Sequence, residues 1–176
     1  MPSPVTRAAS LSESVLTRFI RRPSLVKPIS DGKAMMLTGI DPALSGSILA
    51  RLDAMGHSDA VVLTDAHFPA ARLASDWIDL PLVSTPRLLR GIVRLVPLDD
   101  SPAVDLMASA DGDLLPVQEQ ILAAAGISAD GATFLDRFKF YDRAAQAALV
   151  IRTGETRTYG NVLLRKGLVD ALAWSA

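Results

Sequence analysis

The residues best suited to chemistry cluster in one short segment, MGHSDAVVLTDAHFP, from Met55 to Pro69. The only two histidines of the chain, His57 and His67, lie there beside Asp59 and Asp65. His57 directly follows Gly56, a glycine placed to stop a helix. The imidazole would then stand at the negative end of a helix dipole, which favours the protonated ring and makes a proton donor near neutrality. Asp65 follows the apolar run Ala60-Val61-Val62-Leu63-Thr64. If that run is a strand, Asp65 stands at its carboxyl end, where open α/β sheets build ligand sites. His57 and Asp65 could then face one crevice. The loop Asp65-Ala66-His67-Phe68-Pro69 adds a ring able to stack on the apolar face of a sugar, whose hydroxyls a carboxylate can accept.

Plainer roles suit the same residues. A histidine after a helix-ending glycine can be a surface cap, and Asp65 can cap the next turn. His57, Asp65 and His67 also offer nitrogen and oxygen ligands of kinds zinc accepts, but their spacing matches no compact metal motif and no HExxH is present. A second polar group lies downstream: Arg137 and Tyr141 in DRFKFYDRA, then Tyr159-Gly160-Asn161. Arg137 and Arg143 fit a solvated helix face, and Tyr159 a half-buried aromatic. Read for function, Arg gives a fork of donors, Tyr a hydroxyl, and Asn a donor and an acceptor. Gly160 would let the backbone approach a ligand closely.

The elements that must position these groups alternate between helical and strand signals from Leu37 onward, the pattern of an α/β fold with a sheet flanked by helices. Ile48, Leu49, Leu52 and Met55 recur at helical spacing, and Ala60–Thr64 reads as a buried strand. Pro86 opens a second helix with Leu88, Leu89, Ile92, Val93 and Val96 on its apolar face. Val104–Ala108 reads as a strand and 117–125 as a helix ended by Gly126. Phe138, Tyr141, Ala144, Ala145 and Ala148 mark a fourth helix, leading into a strand at Leu149-Val150-Ile151. Gly154 and Gly160 bracket a hairpin-like link to a last strand, Asn161–Leu164, ended by Gly167. Asp111-Gly112-Asp113 reads as an acidic turn.

Composition bounds the rest. A chain of 176 residues with 49% hydrophobic content can build one ordinary globular core. Eighteen basic against 19 acidic residues give a net charge of −1, which disfavours nucleic acid and anionic membranes as partners. The absence of cysteine excludes disulfides and thiolate chemistry and is compatible with a reducing cytoplasm. No window approaches 18 consecutive apolar residues. Residues 1–34 read differently. The run MPSPVTRAASLSESVLTRFIRRPSLVKPIS is rich in Ser, Arg and Pro with Glu13 its sole acid, as in a flexible extension, a transit peptide or an upstream start codon. A short amphipathic helix over Leu11–Ile20 is compatible with it.

The segment MLTGIDPALSGSILARLDAMGHSDAVVLTDAHFPA closely resembles the start of the L-fucose mutarotase branch of the fucose mutarotase and ribose pyranase family (RbsD/FucU). DGDLLP, RFKFYDRAAQA and TGETRTYGNVLLRKG follow in the family's order, so the resemblance covers Met36 to about Val169. It implies a single three-layer α/β/α domain with a central mixed sheet over residues 35–169, between the extension 1–34 and a tail 170–176. The family's catalytic histidine falls on His57. Its sugar-binding residues fall on Asp65, Arg137, Tyr159, Gly160 and Asn161, with His67 a ligand contact shared with the fucose branch. Ser58 and Ala60 depart from a GHGDE pattern, which bears on substrate preference.

The activity implied is interconversion of the α and β anomers of L-fucose or a related monosaccharide, without metal or cofactor. A proton leaves the anomeric hydroxyl, another reaches the ring oxygen, and the opened sugar recloses. His57 is the expected acid; Asp65, Tyr159, His67 and a bound water all remain candidates for the base. The family's subunits assemble into rings, commonly decamers, with sites near subunit contacts, so a homo-oligomer is expected. A D-ribose pyranase and a non-catalytic sugar-binding accessory protein are the alternatives.

Overall fold

The computed structural model describes residues 37–100 and 102–169. The expectations for the N-terminal extension, its amphipathic helix and the tail 170–176 lie outside the described residues. Among the described residues six strands form one mixed sheet: β1 (Ala60–Thr64), β2 (Trp77–Leu80), β3 (Val104–Met107), β4 (Ala132–Leu135), β5 (Leu149–Thr153) and β6 (Val162–Arg165). Among the described residues five α-helices accompany them: α1 (Gly46–Ala54), α2 (Ala70–Leu73), α3 (Thr85–Ile92), α4 (Pro116–Ala125) and α5 (Arg137–Ala145). The sheet order is β2-β5-β1-β6-β3-β4. Strand β6 runs antiparallel to both its neighbours, β1 and β3, and the other adjacent pairs are parallel. Five carboxyl ends and the start of β6 therefore share one edge.

Side-chain alternation makes the layers, because successive residues of a strand face opposite sides. Val61, Leu63, Leu149, Ile151, Val162 and Leu164 point to one face, where Ile48 and Leu52 of α1, Leu88 and Ile92 of α3, and Ile121 of α4 cover them. Val62, Val150 and Leu163 point to the other, against Phe68, Ala70, Phe140 and Ala144 from the α2 and α5 side. A sheet buried on both faces needs apolar residues at every position, which is why the central strands read as unbroken aliphatic runs. This is the three-layer α/β/α fold with a mixed sheet that the family resemblance implies.

Helix ends follow local chemistry. Pro86 and Pro116 occupy first-turn positions, and Gly126 ends α4 in the left-handed conformation at φ 73°. Asp136 caps α5, its carboxylate accepting from the N–H groups of Phe138 and Lys139 at 3.0 and 3.1 Å.

Three expectations change. Gly56 is not a left-handed stop: α1 ends at an extended Met55, and the Gly56 N–H donates to Asp59 Oδ2 at 2.7 Å. Strands β5 and β6 do not form a hairpin, because β1 lies between them; their link instead crosses the carboxyl end of β1. Asn161 precedes β6 rather than lying in it. The short edge strands β2 and β4 and the single-turn α2 have no counterpart in the sequence pattern. Strand β2 is fixed to β5 by charge: Arg152 donates from Nε and a terminal nitrogen to the two oxygens of Asp79, both at 2.9 Å, and lies 5.1 Å from the Trp77 ring centroid.

Candidate functional site

The shared carboxyl edge brings together most of the residues singled out by type. Asp65 follows β1, Met107 ends β3, Arg137 opens α5 two residues beyond β4, and Asn161 precedes β6. These groups, with His67, Tyr141, Thr158 and Tyr159, line a cavity of ≈170 Å³. That is room for a single small polar molecule. Phe68 makes an apolar floor, held edge-on by Phe140 at 6.1 Å and Tyr141 at 5.2 Å between ring centroids.

Polar groups in this cavity are held before any ligand arrives. Asp65 is 4% exposed. Its Oδ2 accepts from Asn161 Nδ2 at 2.8 Å and its Oδ1 from the His67 N–H at 3.0 Å. In return its own N–H donates to Asn161 Oδ1 at 2.9 Å. Burial pushes the Asp65 carboxyl above the ordinary aspartate range, against the opposing hydrogen bond from Asn161. His67 Nε2 lies 3.2 Å from the Thr156 carbonyl, which can only accept; the ring therefore donates there and keeps Nδ1 as its other nitrogen.

Tyr159 takes φ 63°, a left-handed conformation costing a non-glycine residue roughly 1–2 kcal/mol. Its neighbour Gly160 does not line the cavity; a Cβ there would stand 2.8 Å from Glu155 Cγ. Packing of the wall thus favours glycine at this position. Gln118, fully buried, ties α4 to the end of β3 by donating to the Met107 carbonyl at 2.8 Å.

His57 is elsewhere. It precedes β1 whereas Asp65 follows it, so the two stand at opposite sheet edges, roughly 16 Å apart at the usual strand rise. One chain does not bring them to one crevice, and the trio His57, Asp65 and His67 cannot share a metal within it. Among the described residues no three His, Asp or Glu side chains converge as a metal site.

The surroundings of His57 also differ from expectation. The carbonyls of Leu52 and Met55 at the end of α1 are met by Lys166 Nζ, at 3.2 and 2.5 Å, not by the imidazole. His57 Nε2 instead donates to Asp99 Oδ1 at 3.1 Å, and the Ser58 hydroxyl to Asp99 Oδ2 at 2.9 Å. Ser58, His57 and the Asp100 N–H together hold the Asp99 carboxyl below its usual range. An ionised carboxylate thus orients a half-exposed imidazole. Asp99 and Glu155 are the functional candidates that sequence reasoning missed; nothing in PLDD marks the first, while the second is hinted at only by its spacing from Arg157.

The RbsD / FucU transport protein family matches residues 38–169. The chain belongs to this family. The RbsD/FucU relatives include an L-fucose mutarotase of Histophilus somni, 42% identical over 141 residues that span 76% of this chain and 97% of that protein. A fucose mutarotase of Streptococcus pneumoniae, solved in complex with L-fucose, is 35% identical. It superposes with a TM-score of 0.69 over 76% of this chain and all of that one. Bacillus subtilis RbsD, solved with D-ribose, is 19% identical with a TM-score of 0.60, over 72% of this chain and 95% of that one, and shares the fold. Ser58, one of the two departures from the GHGDE pattern, takes φ 63°, a left-handed conformation that favours glycine.

Proposed function

We propose that this protein is a sugar mutarotase that interconverts the anomers of L-fucose. The observation that carries this reading is the cavity at the carboxyl edge, where a buried carboxylate pinned by Asn161 stands among Arg137, Tyr141 and Tyr159. A fucose-complexed relative at 35% identity supports the choice of sugar. Asp65, His67, Arg137, Tyr159 and Asn161 bind the hydroxyls, with Gly160 shaping the wall. Orienting the sugar at fixed donors and acceptors contributes by replacing solvent around the reacting atoms with groups already in place.

His57 supplies the proton to the ring oxygen, oriented by Asp99. Because one chain carries His57 and the cavity at opposite edges, the reading requires a second copy to bring its imidazole to the sugar. The protein therefore works as a homo-oligomer, the ring-like assembly of the family. We take residues 35–169 as the mutarotase domain and place the reaction in the cytoplasm, with which the lack of cysteine is compatible. No helix among the described residues is long and apolar enough to cross a membrane.

Saturation-transfer NMR on L-fucose and D-ribose tests the reading. Anomer exchange of L-fucose is expected to be accelerated in proportion to protein, and more than the pyranose–furanose exchange of ribose. Preference for ribose would make the protein a pyranase; binding of fucose without acceleration would make it an accessory binder.

A further inference from the structure

Between β5 and β6 the chain crosses over β1 and forms one wall of the cavity, yet most of what holds this wall lies outside the cavity. Glu155 is 4% exposed and does not line the cavity. Its carboxylate accepts from Arg157 Nε at 2.8 Å on one oxygen and from an Arg157 terminal nitrogen at 2.8 Å on the other. The Arg157 N–H adds a third bond at 3.1 Å. The same guanidinium reaches across to α4, where both terminal nitrogens donate to Gln120 Oε1 at 3.1 and 3.2 Å. The Glu155 carbonyl accepts from the Ala66 N–H at 2.8 Å, tying the wall to the loop that bears Asp65 and His67. The Glu155 side chain also fills the space beside Gly160.

These contacts form a brace between α4, the 65–68 loop and the segment that carries Thr158, Tyr159 and Asn161. A left-handed tyrosine persists only where its surroundings over-determine it. We infer that Arg157 is a positioning residue for the sugar site, which it never touches, by clamping Glu155 and Gln120 so that the 158–161 wall keeps its binding conformation. Arg suits this role and Lys does not, because three acceptors on two elements are met by one planar fork. The guanidinium also answers a carboxylate that would otherwise be buried and unpaired.

The inference rests on the mutarotase reading for its kinetic readout but not for its structural one. Arg157→Ala is expected to raise KM for L-fucose exchange about tenfold with kcat within about twofold, because the wall governs binding while the proton comes from the His57 of a second copy. Arg157→Lys should fall between. Glu155→Gln added to Arg157→Ala should recover much of the loss by removing the unpaired charge. A merely structural role would lower the active fraction, and hence apparent kcat, at unchanged KM. Hydrogen exchange at the amides of 157–161 should quicken in Arg157→Ala relative to β1. Unchanged KM, or equal protection of those amides, overturns the inference. If the wild-type protein fails to exchange fucose anomers, the functional reading falls, and the amide protection alone decides the brace. Should Arg157→Ala not fold, Arg157→Lys carries the same measurements.

Discussion

Asp65 and Asn161 hold each other by two hydrogen bonds of opposite sense, backbone N–H to amide oxygen and amide nitrogen to carboxylate, across 96 residues of chain. The pair joins the end of β1 to the start of β6 and leaves neither side chain free to turn. Asn161→Asp replaces the donor with a second carboxylate against a buried one. We expect a loss of about 2–3 kcal/mol in unfolding free energy at neutral pH, together with loss of fucose binding. Urea denaturation and calorimetric titration measure the two; wild-type values for both would show that the pair is not a constraint.

His57→Asn should lower L-fucose anomer exchange by about 10²–10⁴ while leaving fucose affinity near wild type. Asp99→Asn should lower exchange less and in the same direction, because it disturbs the imidazole without removing it. Exchange rates by saturation transfer, set beside calorimetric affinities, separate the two effects. Retained exchange in His57→Asn would remove this histidine from the mechanism.

A site shared between copies can be complemented. Co-expressing His57→Asn chains with Asn161→Asp chains should give mixed assemblies with exchange activity that neither has alone, since some contacts pair an intact imidazole with an intact cavity. Activity that stays absent across all mixing ratios would place the complete site within one chain.

Fucose binding should weaken on acidification, through a midpoint above the ordinary aspartate range, because the Asp65 carboxyl is raised by burial. The sign for stability runs the other way. A folded-state value above the unfolded one means that the cost of burying the charge is fully present above the raised value. That cost is relieved as pH falls through it. Asp65→Asn should remove the acid-range change in affinity. A pH-independent affinity in the wild type would show that Asp65 does not titrate against the sugar.

Gly154 sits where β5 leaves the sheet, with its N–H donating to the Val83 carbonyl at 2.8 Å. A Cβ there would stand 1.9 Å from the Pro81 carbonyl oxygen, and backbone on both sides cannot yield. Gly154→Ala should cost about 2–4 kcal/mol of stability or prevent folding. Thermal unfolding measures this.

Much of this architecture is legible in the sequence because its signals are local. The aliphatic runs of β1, β3, β5 and β6 and the helical spacing in α1, α3, α4 and α5 are written in consecutive residues. Strands β2 and β4 are four residues each, half-exposed at the sheet edges, and β2 is anchored by Arg152, more than 70 positions away from Asp79. No local pattern carries such a contact. Asp65, Arg137, Tyr159 and Asn161 were identifiable because strand ends and ordered motifs mark them, and the sheet brings them together. The separation of His57 from Asp65 was implicit in the five residues of β1 between them, since a strand carries its two flanks to opposite edges. The partnership of His57 with Asp99 was not, because it joins loops 42 residues apart.

Under the proposed role of His57 as the acid, its position across β1 from Asp65 makes turnover a collective property. A lone subunit would hold a sugar without opening it, so activity per chain would fall on dilution, more steeply than fucose affinity. Protein concentration would then set the specific rate as well as the total, and the cell could tune the reaction by how much protein it makes.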